Sequence, residues 1–128
     1  MRHAEILKTV HTIFKRDWTK TPIQFDSFDI KMDGDPCVSL RYTPSKTNKR
    51  FLTPGPAGYQ FHGTIRIYVM EKNPTKCLET LDDVLLLLKD QIIDSLKFTE
   101  QEGLGEPDRF NAGELFISFV DFEVCQIH

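Results

Sequence analysis

The stretch YQFHGTIRIYVM, from Tyr59 to Met70, contains the clearest β-strand signal in the sequence. One face of the alternation is mostly apolar and takes Tyr59, Phe61, Gly63, Ile65, Ile67 and Val69. The other face is mostly polar and takes Gln60, His62, Thr64, Arg66 and Tyr68. A period of two residues is typical of a strand that buries one face, so the pattern predicts a long, half-buried strand in the middle of the chain.

A helix and two strands are predicted upstream of this stretch. Phe28 to Met32 alternates apolar and polar residues, the turn sequence DGDP follows, and alternation resumes from Val38 to Tyr42. Nearer the N-terminus, apolar residues with helical spacing predict a first helix that ends before Pro22. These residues are Ile6, Leu7, Val10, Ile13, Phe14 and Trp18.

A second helix and a final strand are predicted downstream. Asn73 or Thr75 is placed to cap the helix, and its core stripe is expected to be Leu78, Leu81, Leu85, Leu88, Ile92 and Leu96. In ELFISFVDFEVCQI the apolar alternation changes phase, which predicts a bulge or bend near Val120. The expected fold is α+β, with residues 1–128 in one domain and a mixed, mainly antiparallel sheet packed with two helices.

The leucine run in the second helix is denser than one buried stripe requires. Residues Leu86 and Ile93 lie on one shoulder of the predicted stripe, and Leu87 points nearly away from it. A contiguous apolar patch on a small protein is typical of a contact surface. We therefore expect a subunit interface at these three residues, the alternative being that the segment before Glu114 folds over them.

The segment from Thr43 to Gly58 has the composition of a long loop, with three prolines and two glycines. It contains a basic cluster of Lys46, Lys49 and Arg50, followed by Phe51. Basic side chains beside an aromatic ring could contact phosphates and a base, or could keep an exposed loop soluble. In a ring of subunits the same charges would be repeated around the axis.

Composition narrows the possible functions. The net charge of −3 predicts no general attraction to nucleic acid or to anionic membranes, and no apolar run is long enough to span a bilayer. Three widely spaced cysteines favour free thiols, and the N-terminus does not have the pattern of a signal peptide. The histidine and serine spacings indicate no catalytic, cofactor or metal site. For a small cytosolic enzyme with its active site between protomers, the candidate polar groups are Arg66, His62 and Asp121.

Three segments together resemble a family of viral proteins. They are DGDPCVSLRY, the strand sequence YQFHGTIRIYVMEKNPT that closes on Asn73 and Pro74, and the terminal ELFISFVDFEV, preceded by a first helix that opens with MRHAEILKTV. In order and spacing they are similar to the tail terminator, or tail completion, proteins of long-tailed bacteriophages, of which the lambda minor tail protein U is the type. The resemblance covers nearly the whole chain, but it does not extend to the loop from Thr43 to Gly58.

The resemblance implies a structural protein of the virion. Such proteins form a hexameric ring on the finished tail tube, stop the addition of tube subunits and present a surface for head-to-tail joining. The implied partners are further copies of the chain, the tail tube protein and a head completion or connector protein, with DNA only passing through the ring and no membrane. In such a ring, Lys46, Lys49, Arg50 and Phe51 of the long loop are expected to contact the tube or the connector. The expected location is the head-tail junction of a virion assembled in the host cytoplasm. Another neck protein, either a head completion protein or a tail-to-head connector, is the alternative.

Overall fold

The fold is seen in a computed structural model, which describes residues 2–24, 36–45, 49–50, 59–101, 106–110 and 115–126. Two helices are formed, α1 (His3–Asp17) and α2 (Pro74–Leu88). The strands are β1 (Ile23–Gln24), β2 (Cys37–Pro44), β3 (Lys49–Arg50), β4 (Tyr59–Gln60), β5 (His62–Glu71), β6 (Ile92–Ile93), β7 (Leu96–Glu100), β8 (Asp108–Phe110) and β9 (Leu115–Gln126).

One large sheet organises the described residues. Its strands follow the order β1-β2-β5-β9-β7-β6, and β8 pairs with β9 beside this path. The β1–β2 pair is parallel and the other pairs are antiparallel. Strands β3 and β4 form a separate antiparallel pair. The chain therefore has the α+β fold that the sequence predicts, with two helices and a mainly antiparallel sheet.

Both helices pack on the same face of the sheet. The hydrophobic core joins Ile6, Val10, Ile13 and Phe14 of α1 and Cys77, Leu81, Val84 and Leu88 of α2 to inward-facing strand residues such as Ile67 and Val120. Apolar burial of this kind provides the main stabilisation of a domain of this size. The opposite side of the sheet is called the outer face below.

The start of α2 agrees with the prediction, whereas its end does not. The side-chain oxygen of Asn73 accepts a hydrogen bond from the Lys76 backbone N–H at 2.8 Å, and Pro74 occupies the first turn. The helix ends at Leu88, so the core stripe predicted to continue to Leu96 is wrong. Two members of that stripe are exposed, Leu78 to 47% and Ile92 to 60%.

A hairpin takes the place of the expected last turns of α2. Strands β6 and β7 pair with Ile93 opposite Leu96, leaving Asp94 and Ser95 as a two-residue turn. Both turn residues have positive φ, 50° and 68°, as a type I′ turn requires. Asp90 also has a positive φ of 56°. Aspartate tolerates this conformation better than most residues, so the chain turns here without glycine.

The bulge predicted near Val120 is absent from the described strand β9. Pairing between β5 and β9 runs without interruption from His62 opposite Cys125 to Glu71 opposite Phe116. The apolar pattern changes phase because the outer face has a small cluster of its own, in which Met70 and Leu115 are buried. Strand β9 is therefore apolar on both faces near its beginning.

The predicted elements before the central strand are present where the structure describes the chain. The predicted helix before Pro22 and the strand from Val38 to Tyr42 are present as α1 and β2, whereas Phe28 to Met32 lies outside the described residues. Strand β1, which was not predicted, pairs with β2, with Ile23 opposite Val38. Among the described residues, neither helix has the length and apolar character needed to cross a membrane.

Candidate functional site

The outer face carries a charged and aromatic cluster on the two central strands. Arg66 of β5 lies opposite Asp121 of β9, and its guanidinium donates hydrogen bonds from Nε to Oδ1 at 2.8 Å and from Nη2 to Oδ2 at 3.0 Å. The guanidinium also lies 4.2 Å from the ring centroid of Phe119 and 5.9 Å from that of Tyr68. Hydrogen bonds to Asp121 and Tyr68 raise the pKa of Arg66, so its charge is retained and largely compensated.

Two of the three polar residues considered for an enzyme are thus brought together, and the third is engaged elsewhere. His62 lies on the same face of β5 as Arg66, but its Nδ1 faces Glu123 Oε1 at 3.9 Å. A depression of about 330 Å³ adjoins His62 and Glu123, lined also by residues of β2 and by Gln101. Because Asp121 is occupied by Arg66, the three residues do not form one acid–base site.

A second arginine on the outer face has no such partner. Arg41 of β2 lies opposite Arg66 and is exposed, and it makes no ion pair within the part of the chain that the structure describes. The two arginines line a depression of about 320 Å³ together with Thr43, Thr64, Tyr68 and Asp121. Like charges directly opposite in an antiparallel pair are destabilising. The alternation of β2 could have assigned Arg41 to this face, but its position beside Arg66 depends on strand register.

The leucine run divides between the core and the surface. Leu86 is 81% exposed, whereas Leu85, Leu87 and Ile93 are partly buried against the core. The expectation that Leu87 and Ile93 are exposed is therefore wrong, because both pack against the core, Leu87 from α2 and Ile93 from β6. The exposure of Leu86 agrees with the sequence analysis, and its role as an interface residue stays a prediction.

Charged residues surround Leu86. A groove of about 560 Å³ is lined by Asp82, Leu85, Leu86, Lys89, Asp90 and Gln91. The ammonium of Lys89 lies 3.0 Å from the carboxylate of Glu100, which raises the pKa of Lys89. Asp82 is exposed and makes no ion pair among the residues that the structure describes. We call Asp82, Leu85, Leu86 and Asp90, which border this groove, the acidic leucine ridge.

An aromatic cluster joins the N-terminus of α1 to β2 and to Phe61, the residue between β4 and β5. His3 Nδ1 and the Tyr42 hydroxyl lie 2.7 Å apart, and the rings of His3 and Phe61 meet edge to face at 5.0 Å. Burial and the neighbouring His62 lower the pKa of His3, and burial raises the pKa of Tyr42 to about 12. This cluster was not predicted, because its partners are far apart in sequence.

The basic loop can be compared with its prediction only in part. Thr43 and Pro44 extend β2, and the backbone of Lys49 and Arg50 pairs with Tyr59 and Gln60 as β3 and β4. Lys46 and Phe51 lie outside the described residues. A contact of this basic cluster with the tube or connector therefore stays a prediction.

Cysteine and metal chemistry can also be considered for the described residues. Cys77 is fully buried, and burial together with Glu71 raises the pKa of its thiol to about 11, so it is protonated at neutral pH. Cys37 is buried and Cys125 is partly exposed, and none of the three cysteines, all within the described part of the chain, forms a disulfide. Among the described residues, no three histidine, cysteine, aspartate or glutamate side chains are grouped so that they could hold a metal ion.

Comparison with known proteins adds no assignment, since neither a protein-family model nor a curated protein matches the chain.

Proposed function

We propose that the chain is a structural subunit of a long-tailed bacteriophage, a tail terminator that forms a ring on the tail tube. In this role it ends tube polymerisation and presents the surface to which the head connector binds. Several copies would close around the axis through contacts between their surfaces, and DNA would pass through the opening. The resemblance of the three sequence segments to tail terminators suggests the role, and the described residues supply a suitable contact surface.

The observation that carries the proposal is the exposure of Leu86. Leucine side chains at 81% exposure are ordinary when isolated, but this one lines a groove with Leu85 and belongs to α2, whose other side is buried against the core. A partner that covered Leu86 would remove apolar surface from water at about 25 cal/mol per Å². Binding energy of this kind is what a ring-forming subunit needs.

The polar residues considered for catalysis support the same view. Arg66 and Asp121 are joined by two hydrogen bonds, and the Arg66 guanidinium also lies over the Phe119 ring. A catalytic acid or base needs a free position and a pKa near the working pH. The Arg66–Asp121 pair instead resembles the arginine and aromatic clusters that are enriched in protein interfaces.

Tube growth in vitro tests the proposal directly. Purified protein added to polymerising tail tube protein of the same phage should stop elongation and remain at one tube end, as measured by electron microscopy. Tubes that elongate equally with and without the protein would contradict the proposal. In infected cells, loss of the protein should give overlong tails, whereas tails of normal length that fail to join heads would indicate a connector.

A pair of matched variants tests whether Leu86 makes the contact that ring formation needs. Leu86→Gln removes the exposed apolar side chain, and Lys76→Gln changes an exposed residue at the other end of α2 as the control. We expect Leu86→Gln to weaken ring formation and the arrest of tube growth, with Lys76→Gln like the unmodified protein. Equal behaviour of the two variants would exclude Leu86 as the contact.

A further inference from the structure

Two surfaces on opposite sides of the molecule have complementary charge. The acidic leucine ridge lies on α2, which packs on one side of the sheet, and the Arg41 depression lies on the outer face. The ridge presents the exposed Leu86 between the carboxylates of Asp82 and Asp90, and the outer face presents a depression beside Arg41. Nothing in the proposed function specifies which surfaces of neighbouring copies meet.

We propose that the acidic leucine ridge of one copy docks in the Arg41 depression of the next, with the Asp82 carboxylate pairing with the Arg41 guanidinium. Leu86 would then lie against the Tyr68 ring and the aliphatic part of Arg66. This inference rests on the proposed function in its use for a ring, and it specifies the contact between adjacent subunits.

The charges support this choice of occupant. Arg66 is compensated by Asp121 and Lys89 by Glu100, whereas Arg41 in the depression and Asp82 and Asp90 on the ridge make no ion pair among the described residues. A carboxylate brought to Arg41 would also relieve the repulsion between the two arginines. A polyanion such as nucleic acid fits less well, because Asp121 and Glu123 lie on the same face.

The spacing on the ridge suits one carboxylate and one leucine. Asp82 precedes Leu86 by four residues, which places the two side chains on the same side of α2 about 6 Å apart along the axis. Arg41 and Tyr68 lie at different heights on neighbouring strands and line the same depression. A carboxylate at Arg41 therefore allows a leucine one helical turn away to reach the Tyr68 ring.

The arrangement determines the symmetry of the contact. Because the ridge and the depression are different surfaces on opposite sides of the molecule, each copy would use its ridge toward one neighbour and its depression toward the other. Such a heterologous contact builds a closed ring when the rotation between copies is a simple fraction of a turn, and a filament otherwise. A twofold dimer would need the ridge and the depression of each copy to face the same neighbour, which surfaces on opposite sides of the molecule do not allow.

Charge reversal on both surfaces tests the contact. Arg41→Glu places two carboxylates together, and Asp82→Lys places an ammonium against the arginine, so each variant alone should associate about tenfold more weakly or worse, most of all at low salt. Lys76→Glu carries the same change of net charge as Arg41→Glu at an exposed site outside both surfaces and should associate normally. Sedimentation velocity measures association, and circular dichroism confirms that each variant is folded.

A mixture gives the decisive result. In equal amounts the two variants should associate again, because one contact then has the native pair and the next has the reversed pair of glutamate and lysine. The double variant with both changes in one chain should associate for the same reason. Failure of the mixture to associate, equal association of Arg41→Glu and Lys76→Glu, or an unmodified protein that stays monomeric at about 1 mM would overturn the proposal.

The experiments distinguish failure of this subunit contact from failure of the proposed terminator role. Single variants that assemble normally and still stop tube growth would remove this contact and leave the terminator role standing. A protein whose variants reassociate on mixing but that does not stop tube growth would support the contact and contradict the terminator role.

Discussion

The close approach of Tyr42 to Gly63 gives a quantitative test of the packing between β2 and β5. A Cβ atom at position 63 would lie 2.5 Å from the Tyr42 hydroxyl oxygen and 2.6 Å from Cε1 and Cζ of the ring. The ring cannot swing away without cost, since its hydroxyl is 2.7 Å from His3 Nδ1. Gly63→Ala should therefore lower the free energy of unfolding by about 1–3 kcal/mol, the usual cost of overpacking.

A double-mutant cycle isolates the cause of this loss. Once Tyr42→Ala has removed the ring, Gly63→Ala should be neutral or stabilising by about 0.5–1 kcal/mol, because alanine loses less backbone entropy than glycine in a strand. Urea unfolding followed by circular dichroism gives the free energies of the four proteins. An equal cost of Gly63→Ala with and without the tyrosine ring would refute the steric explanation.

Three further predictions concern the core, the leucine run and pH. Ile67→Ala, at a fully buried position in the middle of β5, should cost about 2–5 kcal/mol in urea unfolding, and a loss below about 1 kcal/mol would show that β5 is not central. Leu86→Glu should keep native stability and Leu87→Glu should lose stability, because Leu87 packs against the core; thermal unfolding distinguishes the two. Burial and His62 depress the pKa of His3 below 6.5, so folding favours the neutral form of this histidine. The contribution of His3 to stability is therefore present above pH 6.5 and is lost as the pH falls through the lowered pKa. His3→Gln should reduce this pH dependence of unfolding, and an unchanged dependence would contradict the assignment.

Alternation was sufficient to predict the central strands. From Val38 to Tyr42 and from Phe61 to Val69, polar residues occupy every second position and the intervening side chains face the helices, so a period of two is preserved in the sequence. The helix from His3 to Asp17 could be predicted for the corresponding reason, since its buried residues recur every three or four positions.

The errors arise where local pattern and tertiary structure disagree. Ile92 and Leu96 continue the helical spacing of α2, and the turn that separates them contains Asp94 and Ser95 in place of glycine, so the sequence has no strong stop signal. In β9, Leu115 and Ile117 of the second cluster are apolar although they lie on the outer face, so the sequence pattern looks like a change of phase. Whether an apolar residue lies in one cluster or another depends on its neighbours across the sheet, which the sequence alone does not show.

The candidate surfaces were predictable to different degrees. Leu86 could be selected because a helix with adjacent leucines has more apolar residues than one stripe buries. The pairing of Arg66 with Asp121, and the position of Arg41 beside Arg66 without an ion pair among the described residues, depend on a strand register that joins positions 25 and 55 residues apart. Register is set by the whole sheet, so these relationships became visible only in the fold.

The position of β9 in the sheet has a consequence for biosynthesis. This strand follows every other described element in the chain, yet it lies between β5 and β7 and contributes Val120, Phe122 and Val124 to the core. While the ribosome is still adding these residues, β5 lacks its longest neighbour and the apolar faces of both helices have no complete sheet to cover. Folding of the sheet therefore requires that β9 has left the exit tunnel of the ribosome. A nascent chain that stalls before Leu115 would expose the apolar residues of the core to chaperones and proteases.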